Sequence, residues 1–411
     1  MLKSIIRKEI LLNLLSYKFS IITILSTILI LVSIFVMYRD YILAVENYEI
    51  LQQEPKDTVA VIRPTPLSIF AKGLDENLCR SHQSGFGGQV SVSSKQQSVN
   101  NLFELFTTPD LLYVVKIILS LCAMLFAFDM VCGEKEAATL RQSLSYSLGR
   151  PILIAGKWIG GFTSFILPFF IAVLLGTIFI ILSPMVDMNT YNLLKLGMFM
   201  LSSVIYLAIF FSLGLLISCL THRTSTSLVL SLFVWVILVF LIPNLGNILA
   251  RQLVQIPTVQ QLELKRTQSW VINRFKQVRT DRSEHAEMNR RLEIENDKLT
   301  EDYRNRFNRL VKVSQNITRI SPAAAFTFLA TDITGTGMRE ERRLKRAVLQ
   351  YMDTVKNWDN GKGNRPSFSY QRSSIIEALG PGGLSNGLIL VLFNILFFSG
   401  AYVTFLRYDA R

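Results

Sequence analysis

The sequence is poor in the residue types that do chemistry. Its 411 residues include three histidines and four cysteines. His82, His222 and His285 are isolated from one another, and no HExxH motif occurs. Cys79, Cys122, Cys132 and Cys219 form no CxxC pair and no zinc-type Cys/His spacing; Cys79 and His82 lie three apart, but two ligands do not make a site. Three of the four cysteines fall in or beside apolar runs, where a thiol acts as a small apolar side chain, and no disulfide framework is implied. No GxxxxGK[ST] loop is present, and the one glycine cluster, "SGFGG", lacks the lysine. Intramembrane catalysis would need ionisable groups well inside the apolar runs, and the adjacent Glu301 and Asp302 lie on a charged segment instead. We expect no catalytic residue, metal or cofactor in this chain, and no enzymatic activity.

Charge is also scarce, at 18%, while half of the residues are apolar. That balance is too apolar for an ordinary soluble chain of this length. A bilayer-spanning helix needs roughly 20 mostly apolar residues, and six runs meet that length, at 19–38, 111–131, 162–182, 193–220, 225–248 and 384–406. The expected fold is therefore an all-α membrane protein with six transmembrane helices. The first run is long and has no small-residue cleavage site, so it is expected to stay as a span. Lys116 and Asp129 lie near the ends of the second run, where a lysine can snorkel to the interface.

Positive charge in short connections marks the cytoplasmic side. Lys3, Arg7, Lys8 and Lys18 precede the first run against Glu9 alone. Lys135, Arg141, Arg150 and Lys157 lie between the second and third runs, Arg223 in the turn "THRTS", and Arg407 and Arg411 after the last run. Six spans put all four groups on one side, with both termini inside. Segments 39–110 and 249–383 then lie outside. The first contains "SGFGGQVSVSSKQQS", which reads as a flexible Gly/Ser/Gln stretch. The second has 24 Lys/Arg against 15 Asp/Glu, and long loops translocate largely regardless of charge. From Val259 to about Arg319 it has no Gly or Pro and carries apolar residues at helical spacing, which predicts one or two long helices turning near "TDRSEHAEMN". A break at Pro322, a small-residue segment ending in glycines, and a further helix over 338–358 follow. Its cations are interleaved with acids and not gathered in a stripe, so we expect a solvated helical face and no nucleic acid.

Between the second and third runs lies "VCGEKEAATLRQSLSYSLGRPILIAGKW". Glu134 and Glu136 early and Arg141 late suit a helix dipole over 134–144, and Ala137, Leu140 and Leu144 share one face. This helix is too short and too polar to span. Its pattern fits equally an interfacial connector or a surface offered to a soluble partner.

This stretch resembles the ABC-2-type permeases, membrane subunits of one class of ATP-driven transporter. They carry E-[KR]-E-x-G-T-L, then L-S-x-P-x-S-R, then G-K. The chain has Glu134, Lys135, Glu136, Thr139, Leu140, Leu144, Ser145, Arg150, Gly156 and Lys157 at the matching places, with Asp129 five residues before the first Glu. Ala138 stands where Gly is usual, Ser147 where Pro is common and Gly149 where Ser is common. The resemblance implies that 134–144 is a coupling helix docking into a separate ATP-binding subunit. It makes Glu134, Glu136, Thr139, Leu140 and Arg141 the contact candidates, with Asp129, Arg150 and Lys157 at the span end and turn. The segment "LKSIIRKEILLNLLSYKF" resembles the family's elbow helix, with Lys3 and Arg7 on one face and Leu2, Ile5 and Ile6 on the other. The insertion 249–383 resembles that of a subgroup with a helical extracytoplasmic domain between the last two spans.

The implied partners are an ABC ATP-binding subunit holding ATP and Mg, and a second permease copy or a related permease. The implied setting is a bacterial inner membrane, and the implied activity is export. The alternative is a mechanical or signalling complex acting on an envelope protein through 249–383 without moving a solute. Thr163, Ser202, Ser212 and Asn394 in the spans read as helix-packing contacts.

Overall fold

The computed structural model describes residues 2–53, 61–79, 82–84, 90–92, 109–140, 142, 149–278, 284–356, 358 and 368–408. Helix α1 (Leu2–Leu14) lies against the bundle, and α2 (Tyr17–Gln53) is the first span. Four more long apolar helices follow: α3 (Leu111–Glu136), α4 (Arg150–Ile181), α5 (Thr190–Leu220) and α6 (Thr224–Leu253). The insertion contains α7 (Val259–Val278), α8 (His285–Thr318), α9 (Pro322–Thr334) and α10 (Met338–Lys356), and α11 (Pro381–Leu406) is the last span. Six of these helices are long and apolar enough to cross a membrane, and the chain is an all-α membrane protein.

Three elements differ from expectation. The first span was expected to end at Tyr38, but α2 runs on to Gln53, because "RDYILAVENYEILQQ" contains neither Gly nor Pro to stop it. The stretch expected to be flexible contains a small antiparallel hairpin, β1 (His82–Ser84) paired with β2 (Val90–Val92). The single helix expected over 134–144 is broken: helical structure ends at Glu136, Ala138 takes a left-handed φ of 58°, and Thr139 and Leu140 are helical again. Arg141 and residues 143–148 lie outside the described residues.

Helix α5 is the centre of the bundle, with 78% of its most apolar window buried against 17% for α6 and α11. The exposed faces of α6 and α11 are therefore left for lipid or another subunit. Span polar groups stitch helices together. Trp158 Nε1 donates to Ser212 Oγ at 2.9 Å, and Asn394 Nδ2 donates to the Ile205 carbonyl at 2.8 Å.

At one end of the bundle the two segments expected outside meet each other. Arg372 donates to the Gly335 carbonyl at 2.8 Å and pairs with Asp75 at 2.7 Å, while Leu74 N donates to the Thr336 carbonyl at 2.8 Å. Ile62 and Leu78 pack with Leu344 and Val348 in a satellite core. Cys79 is half-buried there, and burial pushes its thiol well above its usual range.

Helix α9 is the unusual element. The Ser321 hydroxyl caps it, accepting from Ala323 N at 3.1 Å, Pro322 opens it, and Gly335 closes it at φ 72°. The same hydroxyl donates to the carbonyl of Leu238, inside a π-helical segment of α6 at Ile237–Leu241. Leu238 lies about 21 Å along α6 from Thr224, so the start of α9 reaches deep beside the spans. Phe326 stacks on Tyr206 of α5, with ring centroids 4.3 Å apart. A non-spanning helix at this depth is tolerated because protein surrounds it, and almost all of α9 is buried.

Helix α1 packs on α4 through two glycines. A Cβ at Gly156 would meet Ile5 Cγ2 at 2.6 Å, and one at Gly160 would meet Glu9 Cβ at 2.7 Å and the Ile6 carbonyl at 3.1 Å. Gly160→Val is expected to push α1 off α4 and to cost about 1–3 kcal/mol. Gly197→Ala in α5, where a Cβ meets nothing within 4 Å, serves as the control, expected to be neutral to stabilising by up to about 1 kcal/mol. Thermal midpoints of the two variants in detergent check this.

Candidate functional site

The opposite end of the bundle gathers all four basic groups of the sequence, and one buried cation organises it. Lys157 of α4 is 3% exposed. Its Nζ donates to Glu9 Oε1 of α1 at 3.1 Å and to Glu134 Oε1 of α3 at 2.7 Å. A lysine in this position needs anionic partners, because an unpaired buried ammonium is strongly unfavourable. Glu9, the single acidic residue of a basic segment, supplies one of them from the face that carries Ile5.

The neighbouring charges clamp helix ends. Lys135 Nζ donates to the carbonyls of Cys219 and Thr221, the latter at 3.0 Å, at the C-terminus of α5, and lies 4.9 Å from the Tyr408 ring centroid. Glu136 accepts from Thr224 N at 2.9 Å and Thr224 Oγ1 at 2.8 Å, at the N-terminus of α6. A cation on the carbonyl end and an anion on the amide end match both helix dipoles across the 221–223 turn. Arg150 likewise donates to the carbonyls of Leu406 and Tyr408, at 2.9 and 3.0 Å, at the end of α11. Asp129 forms an ion pair with Lys18 at the start of α2. The backbone amides of Val131 and Cys132 donate to Ser218 Oγ at 3.0 and 2.9 Å.

The residues singled out by sequence thus divide. Glu134 and Lys157 bond each other, Asp129, Glu136 and Arg150 each have their own internal partner at the same end of the bundle, and Leu140 is fully buried. Thr139 remains exposed, its Oγ1 donating to the Glu134 carbonyl at 3.4 Å. Together with Ala137, Ala138 and the outer side of Glu136 it forms an exposed arc standing on the anchored cluster. Arg141 lies outside the described residues. Sequence reasoning missed Glu9 and Lys135 as members of the cluster. The signal for Glu9 was its being the lone acid among four cations; Lys135 had none beyond its place between two glutamates.

The sequence profile of the ABC-2 family transporter proteins matches residues 4–410. The chain belongs to this family. Among curated relatives it is 28% identical over 154 residues to the "Probable ABC transporter permease protein NosY" of Stutzerimonas stutzeri, a match covering 37% of this chain and 52% of that protein. It is 37% identical over 73 residues to the protein of the same name from Pseudomonas aeruginosa, covering 18% of this chain and 23% of that one. The matches thus span about half of the first relative and less of the second. As an ABC-2 permease the chain is a multi-pass membrane subunit, of a class that works with an ATP-binding subunit.

The family motif acquires a physical meaning in this geometry. The glycine of G-K, Gly156, lets α1 approach, and its lysine, Lys157, ties α1 to α3. The position where Gly is usual in E-[KR]-E-x-G-T-L is Ala138, at φ 58°, a conformation an L side chain adopts at a cost of roughly 1–2 kcal/mol. Ala138→Gly is expected to stabilise the turn by about 1 kcal/mol, read as slower amide hydrogen exchange over 132–140. Lys157→Met is expected to cost about 3–5 kcal/mol by stranding two carboxylates. Adding Glu9→Gln and Glu134→Gln to it should recover most of that loss, as thermal midpoints of the single and triple variants would report.

Proposed function

We propose that this chain is the membrane subunit of an ATP-driven exporter, its clustered basic end facing the cytoplasm of a bacterial inner membrane and docking a separate ATPase. Two six-span units, a homodimer or a pair of related permeases, form the complete membrane part. The ATP-binding subunit contributes ATP and Mg, and its closure pushes on the 134–140 turn. The observation that carries this reading is the exposed arc Glu136–Thr139 seated on a cluster that joins α1, α3, α4 and the α5–α6 turn. A force applied to such an arc reaches several spans at once. Glu134 and Glu136 act in this scheme chiefly by holding the arc in place, with Thr139 and its alanine neighbours making the contact. Both termini then face the cytoplasm, and segments 39–110 and 249–383 face outward, as the charge asymmetry of the short connections favours.

One observation favours the second reading, mechanical work on an envelope protein. The α7–α8 hairpin projects a helix of 34 residues, about 51 Å long, and α7 exposes Trp270, Ile272, Phe275 and Val278. Exposed apolar residues of this size on a segment outside the bilayer suit a protein partner.

Charge reversal at Glu134 would disturb Lys157, so the clean probes are Ala137→Arg and Thr139→Arg. Both are expected to weaken co-purification of a Walker-loop ATPase by about tenfold or more while leaving the thermal midpoint unchanged. Mass spectrometry of gentle-detergent eluates from the native host reads this. Absence of any ATPase, or indifference to both substitutions, would overturn the coupling reading. An envelope protein captured through α7, with no solute moved in vesicles, would replace export by mechanical work.

A further inference from the structure

A cavity of 540 Å³ lies between the spans and the insertion, walled by α6, α8 and α9 and reached by Lys116 of α3. Its charged lining residues are Lys116 and Arg251, and no Asp or Glu lines it among the described residues. Much of its wall is apolar, with Val239 and Pro243 from α6, Phe307 from α8 and Phe328 from α9. Both π-helical segments in the described residues border it. Val114–Leu119 contains Lys116, and Ile237–Leu241 contains Val239. Such segments cost regular hydrogen bonding and concentrate where a side chain has to be re-aimed for function.

Lys116 is the one α3 residue that lines the cavity. It makes no ion pair with a described carboxylate, and its nearest aromatic contact is Tyr113, with Nζ 5.8 Å from the ring centroid. The adjacent acid, Asp110, accepts from Tyr113 N at 2.7 Å and Lys72 N at 2.9 Å, and its charge acts on Lys116 only from beyond salt-bridge distance. The backbone around Lys116 is pinned: its carbonyl accepts from Tyr206 Oη at 2.8 Å and from Ser120 Oγ at 2.6 Å. A partly buried cation held in this way, beside an acid-free apolar cavity, is what an anion attached to a hydrophobic body would satisfy. Arg251 lies about 18 Å further along α6 than Val239, toward the outer end, where it adds positive potential on the way in.

We propose that this cavity binds an anionic amphiphile, a lipid-like molecule whose charged group pairs with Lys116 and whose apolar part lies against Val239, Phe307 and Phe328. The site is separate from the proposed ATPase contact and does not depend on it.

The test uses the full chain purified into phosphatidylcholine nanodiscs, with phosphatidylglycerol carrying a photoreactive acyl chain as the probe and a photoreactive diacylglycerol as its uncharged counterpart. Peptide mapping is expected to place the phosphatidylglycerol crosslinks in α8 and α9 around Phe307 and Phe328, about tenfold above diacylglycerol. Lys116→Gln should lose that excess, and Lys116→Arg should keep it. The wild-type comparison of the two probes stands even if the Gln variant misfolds. Equal labelling by both probes, crosslinks confined to the outward faces of the spans, or displacement by millimolar inorganic phosphate would each overturn the proposal; the last would mean that the anion alone is recognised.

Discussion

The buried Lys157 ammonium, shared between Glu9 and Glu134, is the interaction on which the basic end of this molecule depends. It joins three segments far apart in sequence: a surface helix, the end of one span and the start of another. Taking three charges out of water is costly, and apolar side chains of similar volume would often serve stability as well. What the ionic arrangement adds is position. An apolar contact tolerates sliding by a residue, whereas a lysine bonded to two carboxylates fixes α1, α3 and α4 in one register. The glycines at 156 and 160 are part of the same constraint, because Glu9 reaches Lys157 only if α1 lies almost on the α4 backbone.

From that fixed point the other charges follow the same rule. Lys135, Glu136 and Arg150 each meet a helix terminus of the sign they complement, so the charged motif works as a set of staples for the ends of α5, α6 and α11. A motif of alternating charges in sequence gives no hint of this, since staple and docking surface need the same residue types. The sequence singled out residues that, Arg141 aside, the fold gathers at one end of the bundle. It could not tell which side chains turn inward, because that depends on partners 23 to 258 positions away. Ala138 shows the same limit from the other direction: helix-forming residues on both sides predicted a continuous helix over 134–144, and a single left-handed residue divides it.

The fold was legible where length and hydropathy decide it. Six apolar runs became six long helices, and the uninterrupted charged segment became α7, ending at Val278, and α8, beginning at His285. The depth of α9 was not legible. Its 13 residues are too few to span, and a short Ala-rich helix after a proline reads as part of an outer domain. It lies beside the spans because the Leu238 carbonyl, within the π-helical segment of α6, accepts from Ser321 and because Tyr206 offers a face to Phe326, and neither condition is written in the segment itself.

Helix α3 connects these two ends. Near its start, the Lys116 carbonyl accepts from Tyr206 of α5 and Ser120 Oγ accepts from Trp235 of α6 at 3.0 Å. Near its finish, Val131 and Cys132 donate to Ser218 of α5, Ser227 Oγ of α6 donates to the Phe128 carbonyl, and Glu136 caps α6. A helix bonded to the same two neighbours at both ends cannot slide past them without breaking several buried hydrogen bonds, each worth about 1 kcal/mol or more. Helices α3, α5 and the start of α6 are therefore held together at both ends, and α11 is bonded to the same α5 through Asn394. The cavity beside Lys116 lies between α3, the second half of α6 and helices α8 and α9.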